Sequence, residues 1–220
     1  MNRASGDLLN LLPSSEPAVE SLGPGAVLLR DFARGVAPDL ITALDGILAA
    51  APWRHMVTPG GHAMSVSMTN CGAFGWFSDR KGYRYVPADP LTGASWPAMP
   101  EAYRALAVRA AAESGYPGFV PDSCLINRYE PGARMGLHQD HDETDMTAPI
   151  VSISLGLPAT FLFGGATRKD RPRRMRLVSG DIVVWGGASR LFFHGVDPVP
   201  EGEHKLTGRA RINLTFRKAR

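Results

Sequence analysis

Five side chains able to bind metal crowd into six positions: His138, Asp140, His141, Asp142 and Glu143. They close the stretch Asn127 to Glu143, in a chain whose other polar residues are spread thinly. In an extended strand side chains alternate faces, so His138 and Asp140 point the same way with Asp142 behind them. An imidazole and a carboxylate two apart can grip one metal ion. The same alternation makes His141 and Glu143 a rival pair on the opposite face, without a co-facial partner. A lone His-x-Asp is a weak pattern, and its weight depends on what lies elsewhere in the chain.

A third ligand is available in His194, at the end of the apolar run Leu191 to His194, which reads as a strand. A histidine there is commonly a satisfied core residue. Joined to His138 and Asp140 it gives two histidines and one carboxylate on one face, with coordination positions left open, the arrangement of non-haem Fe(II) oxygenases. The last strand adds a second feature. Arg211, Asn213, Thr215 and Arg217 alternate with Ile212, Leu214 and Phe216. A wet edge strand would explain that pattern cheaply. If the strand instead lies within a barrel, its arginines need an anion, and a planar guanidinium suits a carboxylate. Asn127 and Tyr129, also two apart, could complete a receptor for a small dicarboxylate.

These groups need a frame to hold them. The chain has 220 residues, 44% hydrophobic and 20% charged, enough for one sizeable core and ordinary for a soluble globular protein. No apolar run approaches bilayer length, and the opening residues do not build a signal peptide, so an intracellular, cytoplasmic location without membrane partners is expected. Cys71 and Cys124 read as reduced thiols. The formal net charge of +3 and pI near 9.1 are compatible with nucleic acid. Much of that charge sits in Arg168 to Arg176, which a solvated loop would also explain.

Helical spacing predicts helices over Pro38 to Ala51 and Pro100 to Ser114, the second stopped by Gly115. Between them, Trp76, Phe77, Tyr83 and Tyr85 either fill the face of a small sheet or form a stacking surface for bases. After Pro121 short strands succeed one another: 124–130, 150–155, 160–163, 175–178, 181–185, 191–194 and 211–217, with a hairpin turn expected at Ser179-Gly180. That many antiparallel strands call for a jelly roll or barrel.

Taken in order, the residues resemble a known family. His138-x-Asp140, His194 and Arg211-x-Asn213-x-Thr215-x-Arg217 resemble the signature of Fe(II)/2-oxoglutarate dioxygenases. The finer spelling is similar to the bacterial AlkB alkylation-repair dioxygenases. It is carried by Asn127-Arg128-Tyr129-x-Pro131-Gly132, Leu137-His138-Gln139-Asp140, Ser154-Leu155-Gly156-Leu157-Pro158, Val183-Val184-Trp185-Gly186-Gly187 and Asn213-Leu214-Thr215-Phe216-Arg217, and the likeness runs from about Pro52 to Arg217.

The resemblance implies a mainly β fold with flanking helices. A double-stranded β-helix (jelly-roll) core over 123–220 would carry an N-terminal α/β nucleotide-recognition extension with a lid over 26–122, after a flexible arm over 1–25. It implies that His138, Asp140 and His194 hold Fe(II), and that Arg211 and Tyr129 take the distal carboxylate of 2-oxoglutarate, with Asn127, Asn213 and Arg217 completing that site. Trp76 would stack on a damaged base against His138, Tyr83, Asp142 and Arg168 would contact the nucleotide, and Thr58 a phosphate. Two positions depart from the family: His62 where tyrosine is usual in the lid, and His141 where lysine is common. The implied activity consumes O2 and 2-oxoglutarate to demethylate 1-methyladenine and 3-methylcytosine. Its substrate would be alkylated single-stranded DNA, with RNA and double-stranded DNA as further candidates, and the enzyme a monomer. A hydroxylase of protein or metabolite, and a non-catalytic nucleic-acid-binding barrel, are the alternatives.

Overall fold

The structure, a computed structural model, describes residues 18–220. Strands β1 (Val19–Gly23) and β2 (Ala26–Leu29) precede helix α1 (Ala37–Ala50). Then come β3 (Arg54–Val57), β4 (Ala63–Gly72), β5 (Gly75–Asp79) and β6 (Gly82–Val86), succeeded by α2 (Glu101–Glu113). The rest is strand: β7 (Ser123–Tyr129), β8 (Met135–His138), β9 (Ile150–Gly156), β10 (Ala159–Phe163), β11 (Arg173–Leu177), β12 (Ile182–Trp185), β13 (His194–Val196) and β14 (Arg211–Arg217). A 3-10 turn at Gly187–Ser189 is the exception. Of the expected flexible arm over 1–25, residues 1–17 lie outside the described part. Val19–Gly23 is not loose chain but a strand paired antiparallel with β2.

Eight strands form one sheet in the order β1-β2-β12-β9-β14-β7-β4-β3, and four form a second, β11-β10-β13-β8. Strands β5 and β6 make a separate hairpin. The fold is the expected jelly roll: mainly β, antiparallel, with two flanking helices. No described helix is long and apolar enough to cross a membrane.

The large sheet has two unlike faces, which explains the alternation in its sequence. Ile153, Leu155, Ile182, Val184, Ile212, Leu214 and Phe216 form one buried cluster with Leu40, Leu44 and Ile47 of α1 and Tyr103, Leu106 and Ala110 of α2. The apolar stripes of both helices cover this face, each buried side chain worth about 1.5–3 kcal/mol. The opposite face looks toward the smaller sheet and carries Asn127, Ser152, Arg211, Asn213, Thr215 and Arg217 around a cavity. Polar residues on β14 are therefore interior. The edge-strand explanation fails, because β14 sits between β9 and β7, hydrogen-bonded on both sides.

Two sequence expectations need correction. Ser179-Gly180 is not a hairpin turn, because β11 belongs to the small sheet and β12 to the large one. The chain changes sheets there, with Gly180 at φ +102°. The buried Asp181 carboxylate anchors the crossing by accepting from the backbone amides of Val178 at 3.0 Å and Asp31 at 3.1 Å and from Arg30 Nη1 at 2.8 Å. Nor is Leu191 to His194 a strand. The Phe192 amide donates to Ser189 O at 2.9 Å, which curls the chain into a turn, and β13 begins only at His194.

Truncating Leu214, fully buried at the centre of β14 under the helices, tests the two-faced sheet. Leu214→Ala is expected to lower unfolding free energy by about 2–5 kcal/mol in urea denaturation. A midpoint equal to the parent's would contradict the packing described.

Candidate metal centre and cosubstrate cavity

His138 ends β8, His194 opens β13, and the two are register partners across the small sheet. Their ring centroids lie 4.4 Å apart. Asp140 joins them, with Oδ1 at 3.6 Å from His138 Nε2 and Oδ2 at 3.7 Å from His194 Nε2. It does so from irregular chain beyond the end of β8, not from the same strand face, and Asp142 is likewise outside any strand. The reason is local: β8 stops at His138, so strand alternation has no hold on the residues beyond it. The donor atoms of the three residues lie within 4.8 Å of one another, and no other such group occurs among the described residues.

The tautomers are set by hydrogen bonding. His138 Nδ1 lies 2.9 Å from Gly136 O and His194 Nδ1 lies 3.0 Å from Phe192 O. A carbonyl can only accept, so each Nδ1 carries the proton and each Nε2 turns a lone pair toward Asp140. Burial, joined by the neighbouring His138, pulls His194 down to about 4 against the opposing field of Asp140. It is neutral near pH 7, as a ligand must be. Burial would raise Asp140, but Arg217 and the two histidines outweigh it and hold the carboxyl well below its usual range.

The triad lines a cavity of about 620 Å³ together with the polar side chains of β7, β9 and β14. Arg211 is 1% exposed. Its Nη2 donates to Ser154 Oγ at 3.0 Å, its guanidinium lies 5.0 Å from the Tyr129 ring centre, and its Nε and Nη1 have no partner. Gly156 opposes Arg211 across the ladder at φ +83°, where a Cβ would meet Thr207 Oγ1 at 2.2 Å. Asn127 Oδ1 is also unpartnered, while Asn213 donates to Ser152 Oγ at 2.8 Å and to Ile153 O at 3.0 Å. Thr215 Oγ1 donates to Asn213 Oδ1 at 2.9 Å. Arg217 differs from Arg211: its Nη2 reaches Asp140 Oδ2 at 2.5 Å and its Nε reaches Glu143 Oε1 at 3.2 Å. A buried cation with free donors, beside three converging metal ligands, fits a chelating dicarboxylate on a metal ion.

At the mouth, Trp76 stacks on Tyr83 with centroids 5.5 Å apart and planes 16° from parallel. Its indole N–H donates to Asp142 Oδ2 at 2.9 Å, and its backbone is gripped from both sides by the Asn70 amide at 3.0 Å. Gly75 precedes it because a Cβ there would strike Trp96 at 2.3 Å. Thr58, Trp76, Tyr83, His138, Asp142 and Arg168 all line the one cavity, and the stacking partner of Trp76 within the chain is Tyr83. Arg168 lies over Phe193 at 5.3 Å. The rest of the basic run diverges: Arg173 pairs with Glu20 and Arg174 with Asp197, away from the lining.

Several further side chains take part in or around the cavity. Glu143, half of the rival pair with His141, is buried and ion-paired to Arg190 and Arg217. Trp185, with an unpartnered indole N–H, and Arg134 also line the cavity. Asn70, fully buried and holding the Trp76 backbone, was not among the candidate site residues.

Jelly-roll sheets around two histidines and one carboxylate, with open coordination positions, define a class of mononuclear iron oxygenases. Comparison with known proteins agrees. The pattern of the 2OG-Fe(II) oxygenase superfamily matches residues 25–217. The alpha-ketoglutarate-dependent dioxygenase AlkB of Escherichia coli is 55% identical over 212 residues, 96% of this chain and 98% of that one. The DNA N(6)-methyladenine demethylase ALKBH1C of Arabidopsis thaliana is 33% identical over 64% of this chain and 36% of its own. The solved structure of OsALKBH1 superposes with a TM-score of 0.80 at 30% identity, covering 91% of this chain and all of that one. This chain belongs to the 2OG-Fe(II) oxygenase superfamily and, within it, to the AlkB dioxygenases. It is an enzyme that uses Fe(II), 2-oxoglutarate and O2.

The depressed pKa of buried His194 makes the stability of the metal-free protein depend on pH. Its unfolded chain takes up a proton as pH falls from about 6.5 toward 4 while the folded one resists, so stability falls across that window. The thermal midpoint is expected to drop as pH is lowered through this range, and His194→Gln should flatten the slope. Parallel slopes for parent and variant would contradict the assignment.

Proposed function

We propose that the enzyme oxidatively demethylates N-alkylated bases such as 1-methyladenine and 3-methylcytosine in single-stranded DNA, with RNA and double-stranded DNA as further substrates. The observation that carries this reading is the stacked Trp76 and Tyr83 pair beside Asp142, at the mouth of the cavity that holds His138, Asp140 and His194. In this reading the recognition surface and lid belong to 26–122, the oxidising core to 123–220, and the chain acts as a monomer in the cytoplasm.

His138, Asp140 and His194 hold Fe(II) through their Nε2 and carboxylate atoms. Arg211 takes the distal carboxylate of 2-oxoglutarate with its two free donors, beside Tyr129, while Asn127 and Asn213 line the path back to the metal. Arg217 fixes Asp140 and keeps one donor, Nη1, unspent. When bound, Fe(II) supplies the O2 activation that turns 2-oxoglutarate into succinate and CO2 and hydroxylates the N-methyl group, which then leaves as formaldehyde.

On the substrate side, Trp76 would offer a flat face to an extruded base in the cavity that His138 also lines. The favoured lesions are cationic at neutral pH, so the Asp142 carboxylate suits them. A lesion that already blocks pairing lowers the cost of extraction. Thr58 in the lid would meet a backbone phosphate, and Arg168 and the 43% exposed Tyr83, which line the same cavity, would contact the nucleotide.

Incubation of the Fe(II) enzyme with 1-methyladenine or 3-methylcytosine oligonucleotide, 2-oxoglutarate and ascorbate is expected to remove one methylene mass from the base and release formaldehyde. Trp76→Ala should weaken oligonucleotide capture by roughly 5- to 150-fold, from a stacking energy of about 1–3 kcal/mol, and spare uncoupled 2-oxoglutarate turnover. Succinate release without base demethylation would favour a hydroxylase of protein or metabolite. No turnover and intact oligonucleotide binding would favour a non-catalytic barrel.

A further inference from the structure

Asp140 is the member of the triad that no regular element holds. The pairing of β8 with β13 sets both histidine rings, whereas Asp140 lies in the irregular chain that leaves β8 and runs to Pro149. A ligand on such a segment must be fixed by other groups. Arg217 fixes its carboxylate from β14. A second arginine, used by none of the roles above, fixes its backbone.

Arg190 comes directly after the 3-10 turn Gly187–Ser189, and its side chain is 4% exposed. Each nitrogen of its guanidinium is committed. Nη1 donates to the Asp140 carbonyl at 2.7 Å, Nε to the Ala148 carbonyl at 3.0 Å, and Nη2 to Glu143 Oε2 at 3.0 Å. One planar group therefore clips both ends of the irregular segment to the loop that leads into His194. Glu143, whose side chain is 2% exposed, passes the contact on: Oε1 accepts from Tyr85 Oη at 2.7 Å and meets Arg217 Nε at 3.2 Å. Arg190, Glu143, Arg217 and Asp140 thus close a ring of contacts around the ligand, two cations against two carboxylates. A buried carboxylate that loses one of its cations is costly, so the ring is held together by charge balance as well as geometry.

We propose that Arg190 is a positioning residue for the metal ligand Asp140, acting with Glu143 to tie the segment bearing Asp140 to the loop that delivers His194. It does not line the cavity. Lysine could not replace it, since three acceptors in different directions need the guanidinium fork. The inference rests on the reading of His138, Asp140 and His194 as the metal ligands.

Titration of metal-free protein with Co(II), monitored by visible absorption, tests it without turnover. Arg190→Lys and Glu143→Gln are each expected to lower Co(II) affinity by about 10- to 100-fold and to alter the band shape. Arg30→Met, which breaks the ion pairs to Glu20 and Asp181 away from the cavity, should lower thermal stability and leave Co(II) affinity at the parent value. A folded Arg190→Lys variant that binds Co(II) as the parent does, with the same band, would overturn the proposal. So would equal weakening in Arg30→Met, which would mark the effect as general loosening. If Arg190→Lys does not fold, Glu143→Gln decides by the same two outcomes. A parent that takes up no Co(II) would instead overturn the metal-ligand reading beneath it.

Discussion

Two buried guanidinium groups share the inner face of β14, and the difference between them organises the cavity. Charge removed from water must find a counter-charge or a full set of acceptors. Arg217 has found counter-charges in Asp140 and Glu143, with only Nη1 left without an acceptor, and its pKa rises through those carboxylates although burial works the other way. Arg211 has a single hydroxyl acceptor, and burial lowers its pKa. The first arginine is part of the metal centre's scaffold. The second keeps two buried donors free, in a cavity of about 620 Å³ that it shares with His138, Asp140 and His194.

That asymmetry depends on the whole sheet. Polar side chains can face inward on β14, β9 and β7 only because α1 and α2 seal the opposite face with an apolar layer. The sheet's stability then comes from its helix side and its chemistry from its cavity side. The hairpin of β5 and β6 is joined to the same frame. Tyr85 donates into the buried Glu143, so the element carrying Trp76 and Tyr83 is bonded to the carboxylate network behind the metal ligands.

Much of this was legible in the sequence, for identifiable reasons. Period-two alternation put Arg211, Asn213, Thr215 and Arg217 on one face, and a strand expected inside the barrel turned that face inward. Asn127 and Tyr129 obeyed the same rule. Where the rule was carried past a strand end, it paired residues that do meet in the fold, but for the wrong reason: Asp140 is held near His138 by arginines from β14 and the loop before His194, not by a shared strand face. The apolar run before His194 looked like a strand because a turn packed on Phe163 is equally apolar. Ser179-Gly180 looked like a hairpin because a sheet change and a hairpin need the same glycine. Glu143 and Arg190 were invisible as a pair, since 47 positions separate them and only the folded chain brings them together.

The most direct test lies at Arg211. Thermal denaturation of the Mn(II)-loaded parent and Arg211→Met, each with and without 2-oxoglutarate, separates the cost of burying this cation from its use. Arg211→Met is expected to be at least as stable as the parent without cosubstrate, and 2-oxoglutarate to raise the midpoint of the parent alone. An equal rise in the variant would contradict the assignment of Arg211 as the anchor of the cosubstrate.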